Sequence, residues 1–221
     1  MNAPLSAERA QEIYEKYRDF TMISPDVYAL NLSLCSEEAP ETGCIVECGV
    51  WRGGMAAGIC DVLPGRKVYL FDSFEGLPPA TDIDGQAALE WQSRKDEPTY
   101  FDNCRAEQHF ALRAMSMSQG GSVDLRPGWF KDTVPGFVPE EPIAVLRLDG
   151  DWYDSTMVCL EALYPRVMDG GLIIIDDYYA WDGCARAVHD YLSRYGIVDR
   201  IRQRGEWFCF MRKQGPRKLP T

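Results

Sequence analysis

Two short apolar runs in this chain stop abruptly at carboxylates. Leu146–Thr156 reads LRLDGDWYDST and brings Asp149 and Asp151 directly after a strand-like segment, while Leu172–Tyr178 reads LIIIDDY and does the same with Asp176 and Asp177. A strand that ends in acidic residues presents them at its C-terminal tip, and in open α/β sheets that edge is where ligands bind. If the two strands are parallel neighbours, the four carboxylates converge on one small volume. Like charges do not gather without a compensating cation, so a divalent metal is the simplest resolution. Hard oxygen ligands with exchangeable positions suit Mg²⁺.

A second group of residues points to a cofactor. Cys44–Cys48 is a short apolar strand carrying Glu47. Gly49, Gly53 and Gly54 form a turn after it, and Met55–Leu63 has helical character. Glycines let the backbone approach a ligand, and the helix start offers free N–H groups. The spacing is not the dinucleotide fingerprint, because Trp51 stands where a second close glycine would be. A glycine turn alone also fits tight packing. The next strand, Lys67–Phe71, ends in Asp72-Ser73, about twenty residues past the turn, where an acid can accept hydrogen bonds from ribose hydroxyls. The alternative for Asp72 is a turn or helix cap.

These groups need a frame. Residues 1–40 read as an N-terminal helical cap, with apolar positions at Ile13, Tyr14, Tyr17 and Phe20, then Val27, Leu30 and Leu34 after a start at Ser24-Pro25-Asp26. Residues 74–105, broken by Gly76, Pro78-Pro79 and Gly85, read as a long lid or acceptor loop. Its Phe74, Trp91, Tyr100 and Phe101 either line a pocket or hold the loop down. A helix is expected over Cys104–Met115, a strand over Ser122–Arg126, and a strand over Ile143–Leu148. The next helix starts at Asp154-Ser155-Thr156, with Asp154 or Ser155 as its N-cap. Asp169-Gly170-Gly171 turns into the strand Leu172–Ile175. The helix Ala185–Arg194 is followed by a hairpin, Val198–Gln203 with Trp207–Arg212, and residues 213–221 read as a loose tail. Strands alternating with helices imply a parallel sheet covered on both faces. The closing antiparallel hairpin favours an α/β, doubly wound, mostly parallel seven-stranded sheet of the Rossmann-like methyltransferase kind over a flavodoxin-like one. The 221 residues are expected to form one domain.

Composition narrows the partners. A net charge of −11 argues against nucleic acid, whose phosphates need a basic surface. No apolar run has the length of a membrane span, and the polar N-terminus lacks the apolar core of a secretion signal, so no membrane partner and a cytoplasmic location are expected. The eight cysteines form no CxxC pair and there are only two histidines, which argues against zinc. The cysteines read as reduced, structural residues.

The strings VECGVWRGG, FDSFEGLPP, GWFKDTVP, LRLDGDWYDSTM, LYPRVMDGGLIIIDDY and GCARAVHDY, in this order, resemble the macrocin O-methyltransferase family over roughly residues 21–212. That resemblance implies transfer of a methyl group from S-adenosylmethionine to a sugar or similar polyol hydroxyl of a natural product, with Mg²⁺ as second cofactor and a homodimer as assembly. It assigns Asp149, Asp176 and Asp177 as metal ligands and Asp151 as general base. It sets Glu47, Gly49, Asp72 and Ser73 against the cofactor, with Thr21 and Met22 near its methionine end. The 80–105 region matches no family string, which leaves the acceptor open. The residues by themselves also allow a catechol-like diol as acceptor, or an acidic nucleotide- or metal-binding module without turnover. Phosphoryl transfer is disfavoured, because there is no GxxxxGK[ST] loop and the glycine turn carries no lysine. His109 and His189 are alternative bases, with structural or surface roles the plainer reading.

Overall fold

The apolar runs pair into a single sheet, and their order in it decides which strand tips meet. The structure, a computed structural model, describes residues 5–215. Helices α1 (Ala7–Tyr17) and α2 (Pro25–Glu38) come first, α2 opening at Ser24 with Pro25 in its first turn as expected. Then follow β1 (Cys44–Cys48), α3 (Gly54–Val62), β2 (Val68–Asp72), α4 (Gln86–Ser93), α5 (Gln108–Met117), β3 (Val123–Pro127), α6 (Phe130–Thr133), β4 (Ile143–Leu148), α7 (Tyr153–Leu163), β5 (Val167–Ile175), α8 (Asp182–Arg194), β6 (Arg202–Arg204) and β7 (Phe208–Arg212). The seven-stranded sheet has the order β3-β2-β1-β4-β5-β7-β6. Strands β1 to β5 pair in parallel, and β7 runs antiparallel to β5 and to β6. This is the doubly wound α/β architecture with a terminal hairpin.

The central strands β1 and β4 are buried throughout, so both faces must be covered. Alternation sends Ile45, Val145, Leu172 and Ile174 into a core shared with α1, α2, α3 and α5. Val46, Leu146, Leu148, Ile173 and Ile175 enter the opposite core with α7 and α8. The sheet order reverses between β1 and β4. There Cys48 lies beside Leu148, and Leu148 beside Ile175. The residues just beyond, Gly49, Asp149 and Asp176, are therefore neighbours at the carboxyl edge, the place where such sheets bind ligands.

Several boundaries differ from the expectations. Strand β5 begins at Val167, because Asp169-Gly170-Gly171 forms a bulge inside the strand and shifts its register against β4. The first arm of the hairpin shrinks to Arg202–Arg204. Helix α7 begins at Tyr153 with Trp152 as N-cap and no side-chain cap, so Asp154 lies in the first turn, where a negative charge suits the helix dipole. The expected loose tail starts with two tethered residues. Lys213 exchanges backbone hydrogen bonds with the bulge at Gly170 and Gly171, and the Gln214 N–H donates to Asp199 Oδ1. Residues 216–221 lie outside those described.

The 74–105 segment holds α4 and two 3₁₀ turns, and it is pinned to the domain. Asp84, itself buried, accepts the Tyr153 N–H at 2.8 Å through Oδ1, and Thr81 N–H and Oγ1–H at 2.8 and 3.0 Å through Oδ2. A Cβ at Gly183 would stand 2.4 Å from Asp84 Oδ1, so the glycine lets the carboxylate reach the start of α8 as well as that of α7. Loss of this buried carboxylate leaves the partly buried Tyr153 N–H and both Thr81 donors without it. Asp84→Ala is expected to cost about 2–3 kcal/mol of stability, read as a lower urea midpoint. An unshifted midpoint would mean that the segment is held by other contacts.

Candidate active site

The glycine turn after β1 is built by backbone constraints. Gly49 has φ +90°, and a Cβ there would lie 1.6 Å from the Asp149 carbonyl oxygen, so only glycine lets the chains leaving β1 and β4 lie this close. A Cβ on Gly54 would approach the Phe20 carbonyl oxygen at 2.5 Å, which fixes the start of α3 against the chain leaving α1. Asp72, at the tip of β2, ties the turn together. Its Oδ2 accepts N–H groups from Val50 (2.7 Å) and Trp51 (2.8 Å), and its Oδ1 accepts that of Phe74 (2.7 Å). Burial raises the Asp72 carboxyl above its ordinary range, opposed by these three amides. The cap reading of Asp72 is thus realised, and the residue also lines the cleft. Ser73 lines it too, its hydroxyl donating to the Gly76 carbonyl at 2.8 Å.

Beside this turn lies a buried charge network centred on Arg147. Its guanidinium is wholly buried. Nη1 donates to Glu47 Oε1 at 2.9 Å and to Asp149 Oδ2 at 2.7 Å, and Nη2 forms a 2.6 Å ion pair with Asp176 Oδ1 whose angles miss those of a hydrogen bond. The arrangement follows from register: Glu47 is the cross-strand partner of Arg147, Ile174 is its partner on the other side, and Asp149 and Asp176 lie two residues further along the same face. Burial pushes the Glu47 carboxyl up to about 8 in spite of Arg147, and Asp176 up to about 6. Glu47 Oε2 has no hydrogen-bond partner.

The residues that come together differ from the expected ligand set. Asp149, Asp151 and Asp177 each place a carboxylate oxygen within 4.8 Å of the others, whereas Asp176 is turned to Arg147. Asp151 has φ +58°, a left-handed conformation that aspartate tolerates better than most residues. Its N–H donates to Asp177 Oδ2 at 2.9 Å, and its Oδ1 accepts the Trp181 indole N–H at 2.8 Å. Burial, then the Asp149 charge, pushes the Asp151 carboxyl up to about 8. Burial and the Asp151 charge hold Asp177 well above the usual carboxylate range. Three hard oxygen donors that repel one another in a partly dry site fit a divalent cation.

The carboxylates form the floor of a cleft of about 1060 Å³. Gly49, Asp72 and Ser73 line one part of it, and Met22 and Ile23 stand at its edge. Thr21 turns its hydroxyl to the Ile23 N–H at 3.1 Å, and Glu47 is sealed beneath the floor by Arg147. The pinned segment contributes Leu77, Trp91 and Phe101 to the lining, whereas Phe74 is buried in the core and Tyr100 packs on Trp91, so its aromatics divide between the two roles. Trp129, Trp152, Trp181 and Trp207 complete the walls, and the sequence reading had assigned none of these four. The signal for Trp152 and Trp181 was their place beside the acid clusters, in GDWYDS and DDYYAWDG. Neither histidine lines the cleft: His109 pairs with Glu107, and His189 meets the Tyr178 hydroxyl. All eight cysteines are free.

Comparison with known proteins agrees with this geometry. A family model described as macrocin O-methyltransferase (TylF) matches residues 20–213. The chain is 40% identical over 190 residues to the 8-demethyl-8-(2,3-dimethoxy-α-L-rhamnosyl)-tetracenomycin-C 4'-O-methyltransferase of Streptomyces olivaceus, covering 77% of this chain and 67% of that one. It is 37% identical over 208 residues to the mycinamicin III 3''-O-methyltransferase of Micromonospora griseorubida, covering 86% and 79%. The solved structure of the O-methyltransferase NovP superposes with a TM-score of 0.69 at 28% identity, covering 93% of this chain and 88% of that one. No described helix is long and apolar enough to cross a membrane. With the family's match running through the glycine turn, both acid-tipped strands and the closing hairpin, the chain belongs to the macrocin O-methyltransferase family and is an O-methyltransferase.

Proposed function

We propose that this enzyme transfers the methyl group of S-adenosylmethionine to a hydroxyl of a sugar or similar polyol carried by a natural product, with Mg²⁺ or a like divalent cation as second cofactor. The observation that carries the reading is the cluster of Asp149, Asp151 and Asp177 on the floor of a cleft that opens at the glycine turn. Gly49, Asp72 and Ser73 would border the cofactor, with Met22 at its methionine end. The sugar acceptor is supported by the activities printed for the two relatives, a rhamnosyl 4'- and a mycinamicin 3''-O-methyltransferase. Trp91 supplies a flat apolar wall of the kind that binds a ring, with polar groups at one end of the cleft.

Asp149 and Asp177 would hold the cation, joined by Asp176 if it leaves Arg147. When bound, such a cation lowers the pKa of a coordinated oxygen and orients it. Asp151 is the base. A carboxyl lifted to about 8 is a stronger proton acceptor than an ordinary aspartate. As the acceptor oxygen bonds to the methyl carbon, the carbon–sulfur bond breaks, its electron pair neutralises the sulfonium, and the hydroxyl proton passes to Asp151. The donor carries its own driving force, so the walls of the cleft chiefly hold oxygen, carbon and sulfur in line.

The deciding experiment is incubation with labelled S-adenosylmethionine and a panel of glycosides and catechols, with product mass and methylation site read by mass spectrometry. Methylation of a sugar hydroxyl supports the reading, and label confined to catechols overturns the acceptor class. Asp151→Asn is expected to bind cofactor and Mg²⁺ within a few-fold of wild type but to lose about 10²–10⁴ in kcat; unchanged turnover would remove it as base. Asp177→Ala should weaken Mg²⁺ binding at least about tenfold by calorimetry, since one of few charged ligands is gone. Burial raises the Asp177 carboxyl above its ordinary range, and a cation binds only the ionised carboxylate. Mg²⁺ binding should therefore release protons, and fewer as the pH is raised. Calorimetry in buffers of different ionisation heat measures this, and a buffer-independent heat throughout would contradict it.

A further inference from the structure

We infer that Trp181 is the positioning residue for the base: its indole N–H fixes one oxygen of Asp151 so that the other faces the acceptor hydroxyl. This inference rests on the reading of Asp151 above. The Asp151 side chain is short, but its carboxylate can still rotate about the terminal bond, a broad torsion with no staggered wells. The 2.8 Å bond from Trp181 Nε1 to Oδ1 removes that freedom and leaves Oδ2 to take the proton. The backbone of Asp151 is set independently, by its N–H on Asp177 Oδ2 and a left-handed φ of +58°. Backbone and side chain are therefore fixed by different partners.

The donor is itself held on two sides. Trp181 packs edge-on against Trp152, with ring centres 5.2 Å apart, and against Trp91 of α4 at 5.9 Å. Trp152 is buried and anchored by its own Nε1–H to the Pro78 carbonyl at 2.8 Å. Trp91 donates to the Thr99 carbonyl at 3.0 Å and lies 6.3 Å from Trp152. Three indoles from three parts of the chain thus close on one another beside the base. A merely structural tryptophan would need a partner for its N–H, but any carbonyl would serve. Here the partner is the Asp151 carboxylate on the floor of the cleft, and the brace comes from the segment that walls it.

The test separates the N–H from the ring. Trp181→Phe, and a variant carrying 3-benzothienylalanine at 181 (the same bicyclic outline with sulfur in place of N–H), are compared with wild type and with Asp151→Asn. In both position-181 variants kcat is expected to fall about 10–100-fold, the loss typical of a reacting group held out of line. KM for cofactor and acceptor, and Mg²⁺ affinity by calorimetry, should stay within about twofold. A benzothienyl variant that turns over like wild type overturns the inference. So does a rise in acceptor KM that accounts for the whole loss, which would make Trp181 part of the sugar wall instead. Turnover retained by Asp151→Asn would instead topple the base assignment itself, and this inference with it.

Discussion

The site depends on one buried cation among too many anions. Arg147 carries a single positive charge, and Glu47, Asp149 and Asp176 crowd its guanidinium. Taking these groups out of water costs several kcal/mol per ion, and the pairs repay that only where every contact is good. Here they are not: one oxygen of Glu47 has no hydrogen-bond partner, and the contact with Asp176 misses hydrogen-bond angles. The deficit appears as upward shifts of Glu47, Asp151, Asp176 and Asp177, all led by burial. The protein by itself can resolve that excess only by holding protons. A second cation resolves it without them, which is why the same floor can both store protons and favour a metal.

That network could not exist without the sheet order. Glu47 and Arg147 face each other because β1 and β4 are central neighbours in register, and Asp176 joins them because β5 is the next strand. The strand order reverses at the same point, so the turn after β1 and the acid tips of β4 and β5 open into one crevice. Gly49 is the hinge of this arrangement: its missing side chain is what lets the Asp149 carbonyl pass. The glycine-turn backbone and the chain at Asp149 are thereby locked to each other across one residue's width.

How much of this was legible depended on whether the physical signal was local. Strand β1 shows as an apolar run before a glycine turn, β2, β4 and the tip of β5 show as apolar runs cut off by acids, and alternation with helices implies their parallel sense. Helix α4 was hidden, although QAALEWQS is rich in helix formers, because the surrounding prolines and glycines spoke for a loop. Asp169-Gly170-Gly171 reads as a turn, yet pairing to β4 and β7 carries the strand through it as a bulge. The strand tips point only to four converging carboxylates, and the ligand set Asp149, Asp176 and Asp177 is what the family resemblance implies. What distinguishes Asp176 from Asp151 is the buried Arg147, a charge inside a continuous apolar run whose partners lie on other strands and cannot be seen from spacing. Trp181 was passed over for the same reason: its acidic partner is thirty residues earlier in the chain.

The two halves of the cleft are therefore built by different means, and this bears on how such an enzyme can change its acceptor. The glycine-turn half is fixed by backbone: amides on Asp72, a carbonyl against Gly49, another against Gly54. Almost any side-chain change there disturbs chain geometry. The opposite half is made of side chains, chiefly indoles and the pinned 74–105 segment, and that segment is anchored by Asp84 and Pro78, which also lie in the lining. Substitution at Leu77, Trp91 or Phe101 alters the shape of the acceptor wall while leaving the anchors in place. Trp181 is the exception within that half, since it touches both the wall and Asp151. With Asp151 as the proposed base, acceptor range can drift through the segment's aromatics only so far as the bracing of Trp181, and with it the aim proposed for that carboxylate, is preserved.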